Sequence, residues 1–525
     1  MMLGLLFINM EVPSQKGKII KQLNTIKLSR RGSDMMRMTA VLGGPTVPHF
    51  TRMLALLREL PVISRIIVIA PELPVKLPAQ CEYLAGNALA TGDILNRLAA
   101  VVDTPQMLFL SADRELCLGP AALERLAEVA ATTGAGMVYA DYQESFGGER
   151  REHPVNDYQL GSIREDFDFG SLLLFSTEAV RESLQRWGPV VGSEGAGLYD
   201  LRLKVSLNRQ LYRIREYLYT VAAGHAAGGL FAYVDPRNYD FQKELEGIAT
   251  AHLRRLGAYL EPRDASLPPA RQTFSMEASV IIPVRNRVNT ITEAVQSALA
   301  QEADFTFNVL VVDNHSTDGT TAALAALAGK HPTLKHIIPA RLDLTIGGCW
   351  NEAVFSPQCG RYAVQLDSDD LYRSPHSLRK MVDLLRGGPY AMAIGSYTLV
   401  NGALEEIPPG LIDHREWTES NGLNNALRVN GLGAPRAFNT ELLRNVGLLN
   451  VGYGEDYAVA LRLARDYRIG RIYESLYLCR RWGGNSDAAL TIEKQNRYDA
   501  FKDQIRTLEI TARQQLNANL HREKE

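Results

Sequence analysis

Three short apolar runs, separated by amphipathic helical patterns, constrain the second half of this chain more than any other feature. Ala278 to Pro283 is continuous and β-branched, and the residues after it place Val288, Ile291, Val295, Ala298 and Leu299 on one helical face. Asn308 to Val312 is a second buried strand. Asp318 then opens a capped helix over Thr320 to Ala328, which stops at Gly329 and Pro332. Arg361 to Leu366 is the third strand. Strands that are apolar throughout are buried on both faces, so the pattern predicts a parallel sheet flanked by helices.

The third run ends in Leu366-Asp367-Ser368-Asp369-Asp370. Three carboxylates crowded at the end of a buried strand repel one another unless a cation neutralises them. Ligands of open α/β sheets bind just beyond the carboxyl ends of the strands, where this cluster falls. Taken alone, the cluster reads equally well as a metal site or as an acidic turn capping the next helix.

The first half follows the same plan. Met38 to Leu42, a helix through Phe50, Leu54 and Leu57, and Arg65 to Ala70 repeat the strand–helix–strand opening. Met107 to Asp113 lines up with Tyr362 to Asp369. Phe175-Ser176-Thr177-Glu178 matches Phe438-Asn439-Thr440-Glu441, and Arg213 to Tyr219 shares an R-I-x-E-x-L-Y pattern with Arg471 to Tyr477. The matches keep their order at a spacing of about 260 residues, as tandem duplication would leave them. Ser111 stands where the second half has Asp367, and Arg114 where it has Asp370. An arginine beside a lone Asp113 supplies from within the positive charge that a metal would bring, so the first copy is expected to have lost its metal site.

A chain of 525 residues exceeds what one core supports. The reading is residues 1–35 as a disordered basic extension, 36–260 as the first domain, 261–275 as a linker, 276–488 as the second domain and 489–525 as a C-terminal helix. The linker, from Glu261-Pro262-Arg263 to Pro268-Pro269-Ala270-Arg271, is rich in proline and charge, as a boundary should be. Tyr498, Phe501, Ile505 and Leu508 give the last helix a face to pack on a domain or a second subunit, which leaves a homo-oligomer open. A net charge of −2 gives no broad attraction to nucleic acid. Cys81, Cys117, Cys349, Cys359 and Cys479 are scattered, without a C-x-x-C pair, which fits a reducing, cytoplasmic setting without a structural zinc. No apolar stretch approaches the roughly 20 residues of a membrane span. Lys16, Lys18, Lys21, Lys27, Arg30 and Arg31 nevertheless suit peripheral contact with the inner, anionic face of a membrane.

With the acid cluster placed after the third strand, Met276 to Asp487 resembles a family 2 glycosyltransferase of the GT-A fold. The resemblance rests on four motifs in sequence order. Ser279 to Arg287 resembles the opening strand and P-x-x-N turn, and Val311-Val312-Asp313-Asn314-His315-Ser316-Thr317-Asp318-Gly319-Thr320 the segment after the second strand. Leu366 to Asp370 resembles the D-x-D-D segment. Gly452-Tyr453-Gly454-Glu455-Asp456 with Leu461-Arg462-Leu463 resembles the late E-D motif. The implied architecture is α/β: two tandem GT-A-like domains, the first degenerate, each a mostly parallel sheet flanked by helices, plus the C-terminal helix.

The resemblance implies a transferase that moves a sugar from a nucleotide-diphospho-sugar, with UDP the expected nucleotide, to a glycan, lipid-linked or protein hydroxyl, as in polysaccharide biosynthesis. It implies Asp369 with Asp367 as metal ligands, Asp367 also reaching the ribose. Hard oxygen ligands select Mn²⁺ or Mg²⁺ over Zn²⁺. Asp456 is the implied general base of an inverting reaction; its bland alternative is an acid at a helix N-terminus. Asp370 reads as a supporting group or a helix cap. Pro283, Asn286, Asp313, Asn314 and Asn351 are the implied nucleotide-side contacts. Asn314 stands where relatives carry a second Asp. Trp350, in Gly348-Cys349-Trp350-Asn351, replaces an arginine and either stacks or packs; Arg480 to Ser486 is the candidate to compensate, closing over the diphosphate. Trp417 is placed to stack on an acceptor sugar or to pack. His315, His331 and His336 read as surface or loop residues. An alternative is an inactive GT-A-like module that binds glycan or nucleotide. A nucleotidyltransferase is disfavoured without a Gly-rich basic turn after Pro283, and a dinucleotide oxidoreductase without G-x-G-x-x-G.

Overall fold

The computed structural model describes residues 36–522 except 45–48, 73–76, 111–113, 223–237, 263–265, 416 and 486–489. The basic extension of residues 1–35, Ser111-Ala112-Asp113, Arg263 of the linker, Ser486 and Asp487 lie outside the described residues.

Two nine-stranded sheets carry the fold. The first contains β1 (Met38–Gly43), β2 (Ile63–Ala70), β3 (Cys81–Ala85), β4 (Gln106–Leu110), β5 (Leu116–Leu118), β6 (Met137–Phe146), β7 (Glu149–His153), β8 (Leu172–Ser176) and β9 (Leu211–Ala222). Its order is β3-β2-β1-β4-β8-β6-β9-β5, with β7 added on β6. The second contains β10 (Ala278–Val284), β11 (Phe307–Asp313), β12 (Leu334–Ile337), β13 (Tyr362–Gln365), β14 (Leu371–Tyr372), β15 (Tyr390–Val400), β16 (Glu406–Ile412), β17 (Arg436–Asn439) and β18 (Arg468–Arg480). Its order is β12-β11-β10-β13-β17-β15-β18-β14, with β16 on β15. Strand for strand, the two orders are the same. So are the directions: in each sheet the strands run mostly parallel, with β5, β7 and β8 or β14, β16 and β17 reversed.

Strand register refines the correspondence between the halves. Gln106 pairs with Ser176 and Tyr362 with Asn439, so Gln106 stands where Tyr362 does. Ser176 and Asn439 each cap the helix that follows, accepting from Ala179 N at 3.3 Å and Leu442 N at 3.2 Å. Strand order reverses beside β1 and β10, and at such a reversal a crevice opens at the carboxyl ends of the strands. The acid cluster follows β13, the neighbour of β10 on the far side of the reversal.

Val288 does not join the helical face expected for it. It is exposed and precedes the helix Ile291–Leu299. The backbone N–H groups of Asn286, Arg287 and Val288 are taken by Ser316, Thr320 and Asp318 side chains, which hold the chain in a turn and delay the helix.

The halves share a core. Tyr199, Leu203, Leu245, Ile248 and Leu253 of the first half pack with Ile281, Leu310, Phe438, Tyr457 and Leu461 of the second and with Ile505 and Ile510 of the C-terminal helix Ile492–Arg522. The helix Tyr239–Arg255 packs both on Ala196–Ser206 of the first half and on Gly422–Asn425 of the second. No helix among the described residues is long and apolar enough to cross a membrane.

The buried face of the C-terminal helix differs from expectation. Leu508 is exposed, whereas Lys502, Asp503, Arg506, Glu509 and Arg513 are buried. Polar groups of both halves line the seam the helix fills. Asp503 accepts from Ser162 Oγ at 2.8 Å, and Arg506 donates to Val429 O at 3.1 Å and Asn430 Oδ1 at 2.7 Å. Arg506 and Asp503 also pair at 2.7 Å, so the buried charges are matched.

Two predictions follow from this seam. A Cβ on Gly161 would lie 2.1 Å from Asp503 O and 2.4 Å from Thr507 N, both backbone atoms. Gly161→Ala is expected to cost about 1–3 kcal/mol in urea unfolding by forcing the helix off the first half. His252 is fully buried near Arg255 and Arg202, and burial pushes its imidazole from 6.5 down to about 3. Above pH 6.5 it is neutral whether the chain is folded or not. As pH falls from 6.5 towards 3 only the unfolded chain takes up the proton, so about 1.4 kcal/mol of stability is lost per pH unit. His252→Gln should remove that component from the pH dependence of unfolding.

Candidate active site

The turn after β13 spreads its three carboxylates to different partners. Asp367 is tied down from two sides: its backbone N–H donates to the buried Tyr477 hydroxyl at 2.9 Å, and the Gln365 amide donates to both of its carboxylate oxygens at 3.0 Å. Asp370 accepts from the backbone N–H of Arg480 at 2.7 Å and ties β13 to the end of β18. It is not a helix cap, since the next helix, Ser377–Gly387, starts seven residues later behind His376. Asp369 faces the segment beyond β18. Its Oδ2 accepts from Trp482 Nε1 at 3.2 Å and Asn485 Nδ2 at 3.3 Å, and Arg287 Nε stands 3.7 Å away. Burial pushes the Asp370 carboxyl well up, and the charges of Asp367 and Asp369 push it further. Burial likewise raises Asp367 against the opposing pull of Gln365 and Arg436.

A polar chain joins this turn to the late E-D motif. Gln365, which donates to Asp367, accepts from Arg436 Nε at 2.9 Å, and Arg436 Nη1 donates to Asp456 Oδ2. Asp456 sits in the first turn of the helix Glu455–Asp466, entered through Gly454 at φ 81°, and accepts from Tyr457 N at 2.7 Å. Burial opposes its ionisation, but Arg436, Lys502 and the Tyr457 N–H hold the carboxyl below the usual range. The Asp456 side chain nevertheless keeps 35% of its surface exposed. Glu455 behaves oppositely: burial, then the charge of Asp456, pushes it up to about 8. Adjacent carboxyls are thus pushed in opposite directions, Glu455 up and Asp456 down.

The nucleotide-side candidates lie in and around the loops after β10 and β11. Pro283 is buried within β10. Asn286, at φ 55°, donates its N–H to Ser316 Oγ at 2.9 Å and accepts from Thr317 N at 2.8 Å. Asp313 is fully buried and accepts from Ser316 N, Thr321 Oγ1 and His336 Nε2 at 3.0, 2.5 and 3.3 Å. These bonds outweigh burial and keep its carboxyl low. The structure therefore brings Asn286 and Asp313 together through Ser316. Asn314 donates to Leu344 O at 2.8 Å. Asn351, further off, exchanges bonds with Leu448 O and N at 2.8 and 2.9 Å.

Several sequence readings resolve one way. His336 belongs to β12 and points at Asp313, so it is neither a surface nor a loop residue. Trp350 packs edge-on against Phe438, their ring centroids 5.9 Å apart. Trp417 is largely buried and packs in the shared core. Arg480 pairs with Glu293 at 2.6 Å, and Arg287 is the cation beside Asp369. Sequence reasoning passed over Gln365 and Arg436. Both carried a usable signal: a strongly polar residue within a short, otherwise buried strand needs a partner.

Among the described residues, no three acidic, histidine or cysteine side chains converge on one point. Mg²⁺ and related hard cations are commonly held by one or two carboxylates, with the rest of the shell from substrate phosphates and water. Asp369 at the mouth of the turn fits that pattern; Asp367 is occupied by Gln365.

The first half lacks the chain that joins the acids. Register places Phe109 opposite Leu173 where the second half has Gln365 and Arg436. Aligning Leu201-Arg202-Leu203 with Leu461-Arg462-Leu463 puts Ala196 at the place of Asp456. Arg114 stands 3.6 Å from Glu144, and Asp113 lies outside the described residues.

Residues 279–444 match the family described as glycosyl transferase family 2. Succinoglycan biosynthesis protein ExoO of Rhizobium meliloti is 33% identical over 134 residues, which are 26% of this chain and 36% of that protein. An uncharacterized glycosyltransferase of Rickettsia conorii is 26% identical over 256 residues, 46% of this chain and 40% of that protein. The chain thus spans less than half the length of these curated relatives. Among solved structures, S. aureus TarS 1–349 in complex with UDP-GlcNAc is similar over 45% of this chain and 72% of that one, at 22% identity and a TM-score of 0.35.

Tyr477→Phe tests the architecture of the turn. It strips the acceptor from the Asp367 N–H and is expected to cost about 1–3 kcal/mol in chemical unfolding.

Proposed function

We propose that this chain, whose residues 279–444 match glycosyl transferase family 2, is an inverting, metal-dependent glycosyltransferase using a nucleotide-diphospho-sugar. The observation that carries the reading is the hydrogen-bonded chain Asp367–Gln365–Arg436–Asp456. It holds a diphosphate-side acid cluster and an ionised, accessible carboxylate against one crevice at fixed separation, as in-line displacement requires.

In the proposed reaction the acceptor hydroxyl gives its proton to the Asp456 carboxylate while its oxygen attacks the anomeric carbon. The bond from that carbon to the diphosphate oxygen breaks on the opposite face, and the electron pair leaves with the diphosphate. Arg436 orients Asp456 and keeps it ionised in the free enzyme. A divalent cation held by Asp369, Mn²⁺ or Mg²⁺, would supply charge stabilisation at the diphosphate. Trp482 and Asn485 lie over Asp369 and exclude water from that side. Asn286 and Asp313 shape the loops on which base and ribose would rest, with UDP the first candidate. ExoO is by name a protein of succinoglycan biosynthesis, which favours a glycan or lipid-linked glycan as acceptor over a protein.

The second reading, a binding module without catalysis, suits the first half. Phe109, Leu173 and Ala196 occupy the places of Gln365, Arg436 and Asp456, so neither the relay nor the base is present at those positions.

The test is a panel of UDP-, dTDP- and GDP-sugars with Mn²⁺, measured as nucleotide release. Release is expected from at least one donor, lost on adding EDTA and reduced at least about 100-fold by Asp369→Ala and by Asp456→Asn. Metal-independent release, or an Asp369→Ala protein with full activity, would defeat the mechanism.

A further inference from the structure

We infer that Lys502 is a positioning residue for the Asp456 carboxylate, delivered to it by a helix that the N-terminal half clamps in place. The inference rests on the reading of Asp456 as the base. Lys502 lies on the helix Ile492–Arg522, outside the segment that matches the family. Its Nζ stands 4.5 Å from the ring centroid of Tyr453 and 5.5 Å from that of Tyr457, the residues that bracket Glu455 and Asp456. The ammonium donates to Asn430 O at 2.5 Å. Tyr498, one turn earlier on the same helix, stacks on Tyr453 with centroids 4.0 Å apart and planes 8° from parallel. The approach of this helix to the E-D motif is therefore fixed by aromatic packing as well as by charge.

The lysine is also tied to the first half. Asn430, whose carbonyl it binds, donates from its side chain to Asp166 Oδ2 at 2.7 Å and accepts from Arg506 at 2.7 Å. The helix itself is fastened to the first half by Asn156, Gln159, Gly161 and Ser162. A cation buried in a cage of two tyrosines is costly unless a nearby negative charge repays it. The charged and titratable groups that face it are Asp456, Glu455, Asp499 and Arg506. Those that bear on Asp456 from its other sides are Arg436, Glu455 and Asp367. Within this set Arg436 bonds the base directly and Lys502 acts on it by charge from the tyrosine cage, the two coming from different elements, β17 and the C-terminal helix. Arg436 belongs to the family-matched segment and Lys502 does not. The first half, with Ala196 at the place of the base, thus acts on the reaction by setting where Lys502 sits.

The experiment measures kcat and donor KM against pH for wild type, Lys502→Gln, Lys502→Met and Lys502→Arg, using whichever donor the wild-type protein turns over. Gln and Met both remove the charge, Gln keeping a donor and Met filling the aromatic cage, so either folded variant decides. The acid limb of kcat is expected to move up by about one pH unit in both, with donor KM unchanged, and to return to its wild-type position in Lys502→Arg. A folded Gln or Met variant with the wild-type limb overturns the inference, even if its thermal stability has dropped. A wild-type protein that turns over no donor overturns the transferase reading, and this inference with it.

Discussion

The guanidinium of Arg436 is the interaction on which the site depends. It is held beneath the crevice between a neutral amide, Gln365, and a carboxylate, Asp456, and it can satisfy both because its donors form a rigid fork. Without it Gln365 would lose the group that fixes its flip, and with that the amide hydrogens it turns toward Asp367. Asp456 would keep only Lys502 and the Tyr457 N–H against the burial that pushes it towards the neutral form. One cation thus couples the acid turn after β13 to the carboxylate of the E-D motif, and the register of β13 against β17 puts it there.

That register also explains why two halves with one strand order carry different chemistry. The pairing of β4 with β8 repeats the pairing of β13 with β17, down to the capping residues Ser176 and Asn439. At the two positions that build the relay the first half has Phe109 and Leu173 instead. An apolar pair there needs no partner and stabilises its sheet by burial, whereas a Gln–Arg pair is tolerable only with acids to meet it. What remains of the first half's influence passes through the seam, where the C-terminal helix is buried by charged residues.

Much of this was legible in the sequence. Continuous apolar runs located the core strands, and the repeated motifs announced a second sheet of the same order. The acid cluster marked the reversal beside β10. Side-chain direction was not legible. Asp367, Asp369 and Asp370 are near neighbours in sequence, yet their partners are Gln365, the Trp482–Asn485 segment and the backbone of Arg480, which only tertiary structure brings close. On the C-terminal helix Ile505 and Tyr498 of the expected apolar face pack inward and Leu508 does not; what the sequence hid is that backbone carbonyls and polar side chains along the seam also reward Arg506 and Arg513. His336 and Trp417 show the same limit, since neither carries a local signal of what it packs against.

The clamp formed by the helix Ile492–Arg522 has a consequence for how the protein comes into being. A ribosome releases the E-D motif before it has made Lys502, and the first half long before either. The sheets can form in that order, each from its own strands, but the seam between them stays open to water until this helix arrives to fill it. Every nascent molecule therefore carries an open seam, which closes late and in one step when this helix docks.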